Sequence, residues 1–353
     1  MPIPPEPVQG GPLRLLIVIQ AVDLDDPLMG FFHEWLIEAA TVFSEITVLA
    51  LRVGRYHLPS HVRVMPLRPT ASRSRLRAAW TLWHESWKHR RHYDAVFVRG
   101  DAQYVLLCGW LWRLLGKRIV LWYAHYKVNG FVWPASWMAH ATCASVPEAL
   151  AHPHVHPVFI GQNISEHQFG PVISRVVTPS LRVLVLGRVV PIKGVVACAE
   201  AFLESGIAEK GSTLTIIGPR PDPAYEAVLG KMMAEHPSIQ WGPPGIPHDQ
   251  LPEVLPTFDV LLNAYPASLD KVIIESMMCG VIPLVTTEGL LHALPPDLHW
   301  LVARDISTRR EALRRLQALS GSDRQTLTAR LRQIAIEHHS LRHQIQRLYR
   351  LCT

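Results

Sequence analysis

The 353-residue chain is poor in charge: 18% of its residues are Asp, Glu, Lys or Arg, against about 25% in an ordinary globular protein, while 48% are hydrophobic. That balance excludes a disordered polyelectrolyte and supplies material for a large core. Cysteine is scarce as well. Cys108, Cys143, Cys198, Cys279 and Cys352 are isolated, with no CxxC pair or zinc-ligand spacing, which excludes a disulfide scaffold and reads as reduced thiols in a cytosolic chain. Long apolar runs are missing: residues 13–19 are too few for a membrane span or a signal peptide, and no other stretch approaches about twenty apolar residues. The expectation is a cytoplasmic protein, in which the sequon Asn163-Ile164-Ser165 has little meaning. There is no internal repeat and no low-complexity tract.

The net charge of +6 is unevenly spread. Residues 68–91 hold seven basic side chains and one acid, and residues 304–353 hold eleven and four, so the rest of the chain is net acidic. "Basic protein" is therefore the wrong description.

Residues 13–19 form a continuous aliphatic run, as in a strand buried on both faces, and residues 31–40 follow with apolar positions at helical spacing. Strand and helix patterns alternate in this way to about residue 122, which signals a parallel sheet covered by helices. Around residues 152–179 the pattern dissolves into Pro, His, Gly and Ser, a plausible hinge, and a second cycle of the same kind opens at residue 181. Two doubly wound halves result. The boundaries expected are 1–165 and 166–335, with 336–353 as a basic helix crossing back to the first half. Ligands of such sheets bind at the carboxyl ends of the strands, and the cleft between two facing domains is the default site.

Two motifs carry chemistry. Gly187-Arg188-Val189-Val190-Pro191-Ile192-Lys193-Gly194 lies between a strand and a helix; its glycines allow close backbone approach, and two cations stand beside a helix N-terminus. This is either a diphosphate cradle or a surface loop with two unrelated cations. In the second motif, residues 268–280, Lys271, Glu275 and Met278 share a helical face and Gly280 ends the helix. Glu275 falls on an otherwise apolar helix, where an unpaired carboxylate is expensive; its partner is a ligand such as a sugar diol, or an internal Arg or Lys.

Together these motifs resemble the retaining glycosyltransferases of family 4, with strongest likeness over residues 183–287. They include the Gly-Arg-x-x-Pro-x-Lys-Gly loop, Ile216-Ile217-Gly218, Asp259-Val260, and Glu275 followed by Cys-Gly-x-x-Pro ending at Pro283. The resemblance implies a GT-B fold of two facing Rossmann-like domains and a nucleotide-diphospho-sugar as co-substrate, with no cofactor and no metal required. It assigns Arg188 and Lys193 to the donor diphosphate, Glu275 to the donor ribose, Gly187 and Gly218 to the donor-side loops, and Ile246, beside Gly245, to the base. The family commonly carries a Glu eight positions before the ribose Glu, where this chain has Ala267. Here Asp270 is assigned to the sugar, and Lys271 or the backbone near it to phosphate. In the first half, His125 matches a cleft histidine near the transferred sugar, with a structural histidine as the alternative among 19 in the chain. Gly30 and Asp25 fall on the acceptor side.

The implied activity is sugar transfer to a glycan or lipid-linked acceptor, in cell-surface polysaccharide or glycolipid synthesis. A scaffold subunit that binds nucleotide-sugar without turnover, suggested by Ala267, and a GT-B epimerase are the alternatives. The Asp23-Leu24-Asp25-Asp26 segment contains an Asp-x-Asp, but it follows the first strand, and the cationic loop already provides the charge that a metal would. His152, His154 and His156 alternate, yet Pro153 and Pro157 interrupt them and no carboxylate joins them.

Leu76, Trp80, Trp83 and Trp87 form a helical stripe with cations clustered at both ends. Core packing is the first expectation for such a stripe, peripheral contact with an anionic membrane the second. Nucleic acid is not expected, since no nucleic-acid fold signature is present.

Overall fold

The computed structural model describes residues 13–26, 29–68, 74–124, 128–170 and 178–353. The chain forms two units, one running to Asn163 and taking in Leu341–Thr353, the other Ile164–Ser340.

The first unit is built on strands β1 (Arg14–Val22), β2 (Glu45–Val53), β3 (Val62–Pro66), β4 (Ala95–Arg99), β5 (Arg118–Trp122), β6 (Ala141–Ala144) and β7 (Val158–Phe159), with helices α1 (Phe31–Ala40), α2 (Arg75–Lys88), α3 (Gln103–Leu114) and α4 (Val132–Met138). The strands are all parallel, in the order β3-β2-β1-β4-β5-β6-β7. In β1 the residues from Leu15 to Ile19 are buried because helices cover both faces of the sheet. One face carries a core that includes Trp35 and Phe97, and the opposite face carries a core that includes Trp112 and Tyr93.

The second unit has β8 (Arg182–Leu186), β9 (Thr213–Ile217), β10 (Ile239–Trp241), β11 (Val260–Asn263) and β12 (Ile282–Val285), again all parallel, in the order β10-β9-β8-β11-β12. Its helices are α5 (Val195–Glu204), α6 (Pro223–Glu235), α7 (Leu251–Val254), α8 (Lys271–Met278), α9 (Ile306–Ala318) and α10 (Gly321–His339). After Ser340 the last helix, α11 (Leu341–Cys352), packs in the first unit against α1. There Gln344 accepts from the buried Trp35 indole at 2.9 Å and donates to the Gly161 carbonyl at 2.8 Å.

The strand order reverses beside β1, at β4, and beside β8, at β11, and both reversals carry the same clamp. Arg14 opens β1 and holds Asp94, just before β4, through its backbone N–H (3.1 Å), Nε (3.0 Å) and Nη2 (2.7 Å). Arg182 opens β8 and holds Asp259, just before β11, in the same way, at 2.8, 3.1 and 3.3 Å. Each clamp fixes the amino ends of two central strands, and so the register at which their carboxyl ends meet.

The Arg14 hydrogen bonds hold the Asp94 carboxyl below its usual range. A carboxylate depressed by folding stabilises the fold above its unfolded value, near pH 4, and this contribution is lost as pH falls through the folded value. Asp94→Asn should therefore cost about 1 kcal/mol at pH 7 and flatten the loss of stability below about pH 4, read by thermal unfolding across pH.

Candidate functional site

At the carboxyl edge of the second sheet, β8 ends in a turn that only glycine accommodates. Gly187 has φ +135°, and its N–H donates to the Ile217 carbonyl at 3.0 Å. Gly218, directly after β9, stands so close that an added Cβ would lie 1.9 Å from the Gly187 carbonyl oxygen. The two glycines therefore let the loops after β8 and β9 pass back to back.

Val189 is buried and anchors the loop, while Pro191–Lys193 forms one 3-10 turn. Gly194 ends that turn at φ +63° and begins α5; an added Cβ there would meet Ala264 at 2.7 Å. The turn delivers Lys193 to the loop after β11. Its Nζ lies 2.6 Å from Asp270 Oδ2 and 3.7 Å from the centre of the Tyr265 ring. Asn263, the last residue of β11, donates to the same Asp270 oxygen at 3.1 Å and accepts from the Tyr265 N–H at 3.0 Å. Asp270 occupies the N-cap position of α8, yet its carboxylate does not cap the helix; it faces the lysine. A carboxylate and an aromatic face thus fix the ammonium group in direction. Arg188 in the same loop is exposed, and its guanidinium makes no ion pair or hydrogen bond among the described residues.

One turn along α8 from Lys271, which is half-buried, Glu275 is 3% exposed. Its partner is neither Arg nor Lys: Oε1 accepts from His248 Nε2 at 3.0 Å. The His248 ring stands edge-on to the buried Phe169, 5.6 Å between centres. Oε2 has no hydrogen-bond partner among the described residues. His248 lies two residues beyond Ile246, which is half-buried on the segment leading from β10. This edge of one unit therefore brings together Lys193 with Asp270, Gly187 with Gly218, and Glu275 with the loop of Ile246. Sequence reasoning missed Asn263, Tyr265 and His248. The only available signal was that Asn263 and Tyr265 follow a buried strand and that His248 adjoins the Gly245-Ile246 segment.

The first unit also has a cavity at its carboxyl edge, about 330 Å3 in volume, lined by Gln20, Asp101, Gln103, Trp122, Tyr123 and Asn129 among others. Gln20 is the one exposed residue of β1, between the buried Ile19 and Ala21. Next to Gly100 in this lining, Arg99 ends β4 and is buried, with no carboxylate partner among the described residues; burial lowers its pKa to about 10. Its guanidinium lies over Trp122 at 4.3 Å and over Phe31 and Phe32 at 5.1 Å.

The residues expected on the acceptor side have local partners. Asp25 is exposed and pairs through both oxygens with Arg55, at 2.5 and 3.0 Å. Asp23 accepts from the backbone N–H groups of Asp25 and Arg55, and Asp26 pairs with Arg52 at 2.8 Å. Gly30 precedes α1 where a Cβ would meet the Leu24 carbonyl oxygen at 2.9 Å, a local packing reason for glycine. His125 lies outside the described residues. No group of three or more His, Cys, Asp or Glu side chains fit to hold a metal occurs among the described residues.

The tryptophan stripe departs from the first expectation. Leu76 and Trp80 are 84% and 62% exposed, Trp83 and Trp87 are exposed too, and the face of α2 turned to the core carries Ala78, Thr81, Leu82 and Ser86. The core there is already filled by large rings: Ser86 accepts from the Trp112 indole at 3.1 Å, and its carbonyl accepts from the Tyr93 hydroxyl at 2.9 Å. Small residues on α2 are what fit against them.

No family model and no curated protein matches the chain. Solved structures do. Anabaena HepE in complex with UDP is similar over 96% of this chain and 99% of its own, at 12% identity and a TM-score of 0.66. A glycosyltransferase from Rickettsia africae is similar over 95% and 97%, at 11% identity and a TM-score of 0.64. The lipopolysaccharide outer core galactosyltransferase WaaB is similar over 95% and 98%, at 10% identity and a TM-score of 0.62. The fold is GT-B. At these identities the likeness speaks for the fold alone, and it spans both parallel-sheet units.

Proposed function

We propose that the protein is a retaining glycosyltransferase of family 4, moving a sugar from a nucleotide-diphospho-sugar to a glycan or lipid-linked acceptor in cell-surface polysaccharide or glycolipid synthesis. The observation that carries this reading is the edge of the second sheet, where the cations Arg188 and Lys193 stand on the loop after β8, and the buried Glu275 on α8 keeps one carboxylate oxygen without a hydrogen-bond partner among the described residues. Lys193 has three N–H donors and Asp270 occupies one, which leaves donors for phosphate oxygens. Arg188 supplies a second cation, and the amino end of α5 directs its N–H dipoles to the same loop. These charges stabilise the diphosphate as it departs, the role that a metal plays in other transferases. Glu275 Oε2 accepts from the ribose hydroxyls, with His248 steadying the other oxygen, and Ile246 lies against the base.

In the transfer step, the bond from the anomeric carbon to the phosphate oxygen breaks and a bond to the acceptor oxygen forms on the same face. The departing phosphate takes the acceptor's proton, so no enzyme nucleophile is needed. The resemblance assigns His125 to the sugar being transferred. The cavity of the first unit, with its amide side chains and aromatic wall, suits a sugar ring of the acceptor. The similarity to HepE bound to UDP and to the galactosyltransferase WaaB supports this reading of the fold.

The test is turnover by the purified full chain across a panel of UDP- and GDP-sugars, with and without glycan and lipid-linked acceptors. Transfer that requires an acceptor is expected, with the anomeric configuration of the donor retained. Nucleotide binding without turnover on any pair would favour the scaffold reading, and a free epimer formed without acceptor would favour an epimerase.

A further inference from the structure

We propose that α2, α3 and α4 together form a docking face for the surface of an anionic phospholipid bilayer. The face belongs to the first unit and does not depend on the transferase reading. It carries six of the protein's 11 tryptophans in exposed positions: Trp80, Trp83 and Trp87 on α2, Trp110 on α3, and Trp133 and Trp137 on α4. Four of them meet in two pairs. The Trp83 and Trp110 rings are 6.5 Å apart across α2 and α3, and Trp133 meets Trp137 edge-on at 4.9 Å. Arg113 on α3 donates to the Met138 carbonyl at 2.7 Å and to the Trp137 carbonyl at 3.3 Å, tying α3 to α4.

A water-soluble helix ordinarily turns its rings inward and its small polar residues outward, and α2 does the reverse. An exposed aromatic surface on this scale marks a contact site. Charge selects the occupant. Lys88, Arg90 and Arg91 follow Trp87 in the chain, Arg113 stands three residues after Trp110 on α3, and the Arg90 guanidinium lies over Trp87 at 4.6 Å. The three helices contain a single acid, Glu85, whose two oxygens lie 3.1 Å from His84 and 3.2 Å from His89. Indole rings prefer the boundary between headgroups and acyl chains, and cations beside them meet anionic headgroups. No described helix is long and apolar enough to cross a membrane, so this contact is with the bilayer surface.

The experiment is co-sedimentation of the full-length protein with vesicles of neutral phosphatidylcholine and with vesicles containing about one third phosphatidylglycerol. Binding at least about tenfold stronger to the anionic vesicles is expected, weakening at high salt and with a blue shift of tryptophan emission. A triple variant, Trp80→Ser with Trp110→Ser and Trp137→Ser, should lose the blue shift and most of the binding. A second variant, Lys88→Glu with Arg90→Glu and Arg91→Glu, should lose the preference for anionic vesicles while keeping the wild-type circular dichroism. Equal recovery of the wild type on both vesicle types overturns the proposal, whatever the folding of the variants. So does a self-association abolished by the tryptophan changes in protein that shows no vesicle preference.

Discussion

Replacing Lys193 with Ala should weaken binding of UDP or GDP by about 10- to 100-fold, the effect of losing charge-assisted hydrogen bonds to a phosphate. The change removes more than one cation, because Asp270 Oδ2, now 2.6 Å from Nζ, keeps only the Asn263 amide and turns an uncompensated negative charge toward the incoming diphosphate. Two further variants separate these effects. Lys193→Arg restores the charge and should recover part of the affinity, and in Lys193→Ala with Asp270→Asn the repulsion is gone, so affinity should rise above that of Lys193→Ala alone. Isothermal calorimetry with each nucleotide reads all three. Unchanged affinity in Lys193→Ala would sink the assignment of this loop to the diphosphate, even if fold and stability were intact.

Glu275→Gln tests the other end of the donor. The side chain keeps its shape but loses the charge that accepts from two directions, His248 on Oε1 and the proposed ribose hydroxyls on Oε2. The expected result is a loss of about tenfold or more in affinity for UDP or GDP. For the matching 2′-deoxynucleotide, which lacks one of the hydroxyls, the loss should be much smaller. A merely structural glutamate would give equal losses for both nucleotides. His248→Ala should produce a smaller version of the same pattern, since it steadies the carboxylate without touching the ribose.

The parallel architecture was legible because both central strands are unbroken aliphatic runs and each is followed by a residue pattern of helical period. Lys193, Gly187, Gly194 and Glu275 could be singled out because a strand-to-helix turn with two cations, and a carboxylate on an apolar helix, are local oddities that need an explanation. Their partners were not legible. Asp270 is 77 residues from Lys193, and His248 is 27 from Glu275, so no local pattern links them; parallel strand order brings their loops to one edge. The clamps from Arg14 to Asp94 and from Arg182 to Asp259 were hidden for the same reason, although both pairs recur in equivalent places once the sheets are seen.

The tryptophan helix teaches the reverse lesson. Its 4-3-4 spacing establishes that four large side chains share a face, and nothing in the period says which way that face points. Periodicity is a property of one helix, whereas direction depends on how much room the neighbouring elements leave. Trp112 and Tyr93 fill the space under α2, so Ala78 and Ser86 point inward and the indoles outward. By itself, then, the sequence determined the elements, their parallel arrangement, and which cations and carboxylate are unusual. Only the tertiary structure decided the pairing of Lys193 with Asp270 and of Glu275 with His248, and the outward turn of the tryptophans, because each depends on packing between residues far apart in the chain.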